Sequence, residues 1–387
     1  MKVGIISKYY NSSNYGGNLQ AYALCKAFEN KGIDSEQICY KAANRQNRSV
    51  LDNLLRLPSY YYRRLKTMYS KRKYPKLYQK IDERIESVKP FNQSIKHSDF
   101  VYSPDTIQRA EEQYDVFVSG SDQVWYPDVF CPAFSLSFVK NKKKFSYAAS
   151  IASNVIPAEK KDYYRESLVG YEAISVRETK AKELLEDLGI TNIQVVLDPV
   201  FLISEKEWST IAEDRIIEDK YLFCYFLGDD DTSRNLARDI AKRRGLKIAT
   251  IPYLQNKYRR CDNGFGDYAL SKVSPNSFLS LIRNAECILT DSFHACAFSI
   301  IFKKQFYVCE RIGGESMNSR IHEIVNLINS EERYLNSKEL FSYEYIDSLK
   351  DINYDEKKIG YEKYKEESRR FFEKIIDACY GTEGVGN

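Results

Sequence analysis

The chain has 387 residues, which at roughly 100–200 residues per domain implies two domains. Hydrophobic residues make up 43% and charged residues 29%, so a disordered or fibrous chain is excluded. The net charge of +4 names no partner by itself, and there is neither an apolar run of about 18 residues nor a basic start followed by an apolar core. No spanning helix and no secretory leader are expected, and the expected location is the cytoplasm.

Val3–Ser7 reads as a first strand, and NYGGN (Asn14–Asn18) follows it. A helix is expected over Asn18–Asn30, with Ala21, Leu24 and Phe28 at spacings of three and four and Gly32 placed to end it. Glu36–Tyr40 reads as a second strand. The alternation then breaks. Residues 41–80 carry twelve Lys/Arg against one acid, Asp52, with tyrosines interleaved, in an insertion running to about residue 95. Such a segment suits RNA, anionic lipid or a pyrophosphate-bearing substrate, and equally a solvated helical insertion.

Strands resume at Val116–Ser119, Lys144–Ala149, Ala173–Val176 and Ile193–Leu197, with helices over Ala158–Tyr171 and Glu178–Leu188 between them. Residues 199–220 read as a linker. A second alternation begins at Tyr221: a strand (YLFCYFL), a helix over Ser233–Arg244, the strand KIATI, a helix over Asn276–Asn284 behind Ser274-Pro275, and strands Cys287–Leu289 and Gln305–Cys309. Helices over Asn318–Ile328 and Tyr361–Cys379 close the chain. Strand–helix alternation of this kind predicts parallel sheets with crossovers. The expected domains are 1–205 and 206–387, two successive α/β halves that would line one cleft if they face each other.

In open α/β sheets ligands bind beyond the carboxyl ends of the strands. Four polar clusters fall there: NYGGN, GSDQ (Gly120–Gln123), Arg177 and TDSFH (Thr290–His294). His294 sits in the first turn of a helix that is apolar from Ala295 to Phe302 apart from Ser299, where the partial positive charge of the free amides favours a neutral ring able to act as a base. Asp291 or Ser292 can cap that helix, and its first turn can hold an anion. A buried structural histidine is the alternative. Arg177, Arg311 and Arg320 suit carboxylate or phosphate, against ordinary surface ion pairs. NYGGN lacks the third glycine of a dinucleotide loop and the lysine of a P-loop. Gly16 and Gly17 let backbone approach a ligand or turn sharply, and Asn14, Asn18, Asp122 and Gln123 suit hydroxyl groups, with Trp125 as a stacking face. Ordinary turn chemistry explains both loops equally well. Nine cysteines without a C-x-x-C pair imply reduced, buried thiols, and no metal-ligand cluster appears.

Taken together, NYGGNLQAYAL, VSGSDQVW, FSYAASIA, AISVRE, VVLDPVFL, SPNSFLSLIRNAECILTDSFHACAFSI and MNSRI resemble the polysaccharide pyruvyl transferase family, in order from about residue 3 to 330. The resemblance implies a GT-B-like α/β fold, two Rossmann-like domains with parallel sheets facing an interdomain cleft and the last helix packing back on the first. It also implies transfer of the enolpyruvyl group of phosphoenolpyruvate onto a sugar, giving a pyruvate ketal and phosphate in the making of a cell-surface polysaccharide. It implies no cofactor beyond phosphoenolpyruvate as co-substrate and no nucleic-acid partner. His294 matches the family's catalytic histidine and Arg177 its donor-holding arginine. The arginine usual two positions before the histidine is Ser292 here, so Arg320 or Arg311 is expected to replace it at the donor. The acceptor side falls to Asn14, Gly16, Gly17, Asn18, Asp122 and Gln123. A lipid-pyrophosphate-linked acceptor would place the basic segment at the inner membrane face. A nucleotide-sugar glycosyltransferase and a non-catalytic sugar-binding relative are the other readings.

Overall fold

A computed structural model describes residues 1–41, 68–254, 259–311, 315–337 and 340–380. The first half begins β1 (Lys2–Ile6), α1 (Tyr15–Glu29), β2 (Asp34–Gln37), α2 (Pro75–Ser94), β3 (Val116–Ser119) and β4 (Lys143–Ser146). It continues α3 (Lys161–Ser167), β5 (Ile174–Val176), α4 (Thr179–Glu186) and β6 (Ile193–Val195). Its strands pair in parallel in the order β2-β1-β3-β4. The β5–β6 pair extends that sheet through bridges from Phe145 to Ala173 and from Ala149 to Val176.

The second half contains α5 (Glu205–Ile211), β7 (Tyr221–Tyr225), α6 (Thr232–Arg244), β8 (Lys247–Thr250), β9 (Tyr268–Ala269) and α7 (Pro275–Arg283). It ends β10 (Cys287–Thr290), α8 (Phe293–Ile301), β11 (Gln305–Cys309), α9 (Glu315–Asn326), β12 (Tyr334–Leu335), α10 (Tyr343–Ser348) and α11 (Lys358–Tyr380). Its six parallel strands run β12-β11-β10-β7-β8-β9. Strand order reverses between β1 and β3 in one sheet and between β7 and β10 in the other. The loops after β1, β3, β7 and β10 therefore leave from switch points, where parallel α/β sheets leave a crevice for ligands.

Three expectations need correction. Helix α1 starts at Tyr15, so both glycines lie inside its first turn; Asn14 is the cap, its Oδ1 accepting from the amides of Gly16 at 3.0 Å and Gly17 at 3.5 Å. Residues 199–220 are not merely a linker. They include α5, closed by a capping box of Ser204 and Glu207, and its Trp208 is fully buried between Tyr22 of α1 and Phe298 of α8. The basic insertion contains α2, which buries Tyr78, Ile81, Arg84, Val88 and Phe91 at spacings of three and four. Residues 42–67 of that insertion lie outside the described residues.

One apolar core runs through both halves, from Leu24 and Phe28 of α1 to Trp208, Phe298 and Phe372. Phe372 of α11 meets Phe28 edge-on at 4.8 Å, and the Ser368 hydroxyl accepts from the Leu197 amide, so the last helix lies on the first half. No helix among the described residues is long and apolar enough to cross a membrane.

Candidate active site

A cleft of about 260 Å³ opens between the two halves. Asn14, Gly16, Asp122 and Gln123 line it from the first half, and Ser292, His294, Arg311 and Arg320 from the second. The rings of Tyr15, Tyr225, Tyr253, Phe278 and Phe293 also line it. Tyr15 ties the halves together: its ring stacks on Phe278 at 4.8 Å and its hydroxyl donates to the Val273 carbonyl at 3.0 Å. Arg84, buried on α2, lies over the same ring, 4.3 Å from its centre, and donates to the Ser13 carbonyl.

His294 is the first-turn residue the sequence places at the β10–α8 switch, and the ring is held from both edges by the first half. A Cβ on Gly16 would stand 2.0 Å from its Nδ1. Its Nε2, buried and without a hydrogen-bond partner, faces the Asp198 carboxylate at 3.7 Å. Ser292 is the cap residue of α8, yet its side chain makes no capping bond. Nor does Asp291 cap that helix: its carboxylate reaches across to the loop after β7 and accepts from the amides of Leu227 at 2.6 Å and Gly228 at 2.5 Å.

Arg177 is not on the open wall. Its side chain is 2% exposed, and its guanidinium donates to Asp198 Oδ2 at 2.8 Å, Asp122 Oδ1 at 3.0 Å, Ser150 Oγ at 3.1 Å and Glu178 Oε1 at 3.3 Å. It also stacks over the Phe293 ring at 4.3 Å. These contacts commit Arg177 to three carboxylates, so the donor clamp expected of it is not what the geometry offers. Burial pushes the carboxyls of Asp198 and Asp122 up, but Arg177 and His294 outweigh it and hold both below the usual carboxylate range.

Arg320, on α9 of the other half, approaches the same group, with Nη1 at 3.8 Å from Asp122 and 3.9 Å from Glu178. Burial and the like charge of Arg177 pull its guanidinium down to about 10, so it stays cationic at neutral pH. Arg311 is fixed directly beside Ser292: its Nη2 donates to the Asp291 carbonyl at 2.8 Å and its Nε faces the Asp291 carboxylate at 3.4 Å. Two arginines and an imidazole thus share one wall with the first turn of α8.

The acceptor-side residues divide. Asn14 and Gln123 line the cleft, although the Oδ1 of Asn14 caps α1 and the Oε1 of Gln123 accepts from Lys8 at 3.3 Å. Asn18 is turned inward: fully buried, it donates to the carbonyls of Ser12 and Asn14 and accepts from Asn92 at 2.6 Å. Gly17 does not line the cleft; a Cβ there would stand 3.1 Å from the Lys8 carbonyl, a demand of its own half. Trp125 is no stacking face, since it is fully buried with its Nε1 donating to the Phe134 carbonyl.

Sequence reasoning missed Asp198, Phe293 and Arg84. Asp198 carried a usable signal, because it stands at the carboxyl end of a strand like the four clusters that were singled out. Arg84 carried none: beside Asp82, Glu83 and Glu86 it reads as one member of a solvated charged face.

A family model described as Polysaccharide pyruvyl transferase matches residues 14–311. No curated protein matches the chain. Among solved structures, the UDP co-structure of MnaA from S. aureus aligns over 100% of this chain and 98% of its own at 12% identity, with a TM-score of 0.54. A protein described as a UDP-N-acetylglucosamine 2-epimerase, from Listeria monocytogenes, aligns over 99% and 97% at 13% identity, with a TM-score of 0.52. At such identities these likenesses bear on fold alone, and the fold they share with this chain is GT-B-like.

Proposed function

The chain belongs to the polysaccharide pyruvyl transferase family and is a transferase of polysaccharide biosynthesis, and from that premise we propose that its donor is phosphoenolpyruvate and its acceptor a sugar diol bound in the interdomain cleft. The observation that carries this reading is the placing of His294 between Arg311, Arg320 and the first-half wall. The donor is a small dianion or trianion bearing a phosphate and a carboxylate. Arg311, Arg320 and the amides at the start of α8 match those groups. Arg311 replaces the arginine that Ser292 lacks, since it is anchored to the main chain of the residue next to Ser292.

Reaction follows from one proton carrier. His294 takes the proton of a sugar hydroxyl and delivers it to the donor's methylene carbon, which becomes a methyl group. C2 is then electron-poor, and the hydroxyl oxygen bonds to it. A second hydroxyl of the same sugar attacks C2, the C2–O bond to phosphate breaks, and the second hydroxyl's proton leaves with the phosphate. The balance is one donor plus one diol, giving one ketal and one phosphate. Asp198, Asp122 and Glu178, locked on Arg177, hold the ring and the cleft floor without touching the donor.

The basic insertion fits a membrane-borne acceptor. Met68 and Tyr69 are 60% and 66% exposed beside Lys71, Arg72 and Lys73, a mixture suited to an anionic lipid surface. Replacing Arg63, Arg64, Lys71, Arg72 and Lys73 by neutral residues is expected to abolish binding to anionic liposomes; retained binding would reject this surface. For the donor, phosphoenolpyruvate is expected to raise the thermal midpoint and UDP to leave it unmoved. The reverse pattern would favour a nucleotide-sugar transferase.

A further inference from the structure

Gly16 has no conformational reason to be glycine. It is not among the residues with positive φ, and it lies in the first turn of a helix, where alanine is the better residue. What it does have is a neighbour. A Cβ at residue 16 would stand 2.0 Å from Nδ1, 2.4 Å from Cε1 and 2.5 Å from Cγ of His294. Non-bonded contact needs roughly 3.5 Å, so the ring would have to retreat by about 1.5 Å. The ring belongs to α8 of the second half, whereas Gly16 belongs to α1 of the first.

The socket is rigid. Asn14 caps the Gly16 amide at 3.0 Å, and Tyr15 next to it is bonded to Val273 and stacked on Phe278. The opposite edge of the imidazole faces Asp198, another first-half residue, whose carboxylate is fixed by Arg177, by the Ser121 hydroxyl at 3.1 Å and by the Val200 amide at 3.1 Å. A ring carried by one half is thus gripped on two edges by the other.

We propose that Gly16 is a positioning residue for His294: the absent side chain is the socket into which the imidazole docks, so the reacting ring takes its place only when the two halves are closed on each other. The proposal rests on His294 being the proton carrier for its catalytic meaning, and on geometry alone for the socket.

A thermal double-mutant cycle separates the two. Gly16→Ala is expected to lower the melting midpoint by several degrees in the chain that keeps His294. In the His294→Ala background the same change should leave the midpoint unchanged or raise it by about a degree, because the socket is empty and alanine favours the helix. An equal fall in both backgrounds would overturn the proposal. Should Gly16→Ala fail to fold, its folding with His294→Ala supports the socket, and failure in both backgrounds rejects it. With phosphoenolpyruvate and a sugar acceptor, Gly16→Ala should lose at least about tenfold in kcat while KM stays within about twofold, the split expected of a displaced catalytic group. A raised KM with unchanged kcat would instead make Gly16 a ligand contact. The melting cycle needs no substrate, so absence of any phosphate release would count against the donor assignment and leave the socket standing.

Discussion

Arg177→Lys is the substitution that separates a structural hub from a donor clamp. Arg177 makes four hydrogen bonds at 2.8–3.3 Å, three of them to carboxylates of Asp198, Asp122 and Glu178. Its planar fork fits that arrangement; an ammonium, with its donors on one atom, can serve one or two of those acceptors. Removing one partner of a buried ion pair costs about 3–5 kcal/mol, and lysine keeps the charge, so a loss of about 2–3 kcal/mol of stability is expected. The slackened Asp198 carboxylate would also release one edge of His294. We therefore expect a lower denaturation midpoint together with at least about a tenfold fall in kcat, while KM for phosphoenolpyruvate moves by no more than about twofold. Chemical denaturation and phosphate release as a function of donor concentration read both quantities. A tenfold or greater rise in KM at unchanged stability would refute the hub and return Arg177 to the donor.

Arg311→Ala removes a charged hydrogen-bonding group worth about 1.5–3 kcal/mol, so KM for phosphoenolpyruvate should rise roughly 10- to 100-fold in the same assay with the fold intact. Trp208→Ala empties a fully buried site between Tyr22 and Phe298 and should cost about 3–5 kcal/mol in denaturant melts. Glu323, on α9, is pushed by burial and by the Glu178 carboxylate up to about 7 from its ordinary 4.5. An acid raised on folding favours the folded state while protonated, so that contribution is whole below pH 4.5 and lost as pH rises through about 7. The melting midpoint should fall from pH 5 to pH 8 in the natural chain, and Glu323→Gln should flatten that part of the profile.

How far the sequence spoke depends on the range of the interaction. Strand–helix alternation is local, and it exposed both sheets and three of the four switch-point loops, those after β1, β3 and β10, with His294 in the last; the fourth cluster, at Arg177, follows β5 instead. Helix α2 was obscured because its buried stripe includes Arg84 and because its first turns, with Lys76 and Lys80, run on from the basic segment. Residues 199–220 looked like a linker because one buried tryptophan, Trp208, is a weak periodic signal. Roles that hinge on contacts between distant segments were beyond reach. Asn18 looked like a sugar ligand and is spent on Ser12, Asn14 and Asn92. Arg177 looked like an anion clamp because two of its three carboxylates, Asp122 and Asp198, come from separate stretches of chain. The glycine pair looked like a ligand loop, yet Gly16 answers to a ring 278 positions further on.

The central claim is chemical, and one measurement addresses it directly. The protein is incubated with phosphoenolpyruvate and a panel of sugar acceptors, including lipid-pyrophosphate-linked ones, and inorganic phosphate and acceptor mass are followed together. The account predicts one phosphate per acceptor converted and an acceptor heavier by one pyruvic acid less one water, both abolished by His294→Ala. Transfer of a glycosyl group from a nucleotide sugar to those acceptors, with phosphoenolpyruvate left intact, would contradict it.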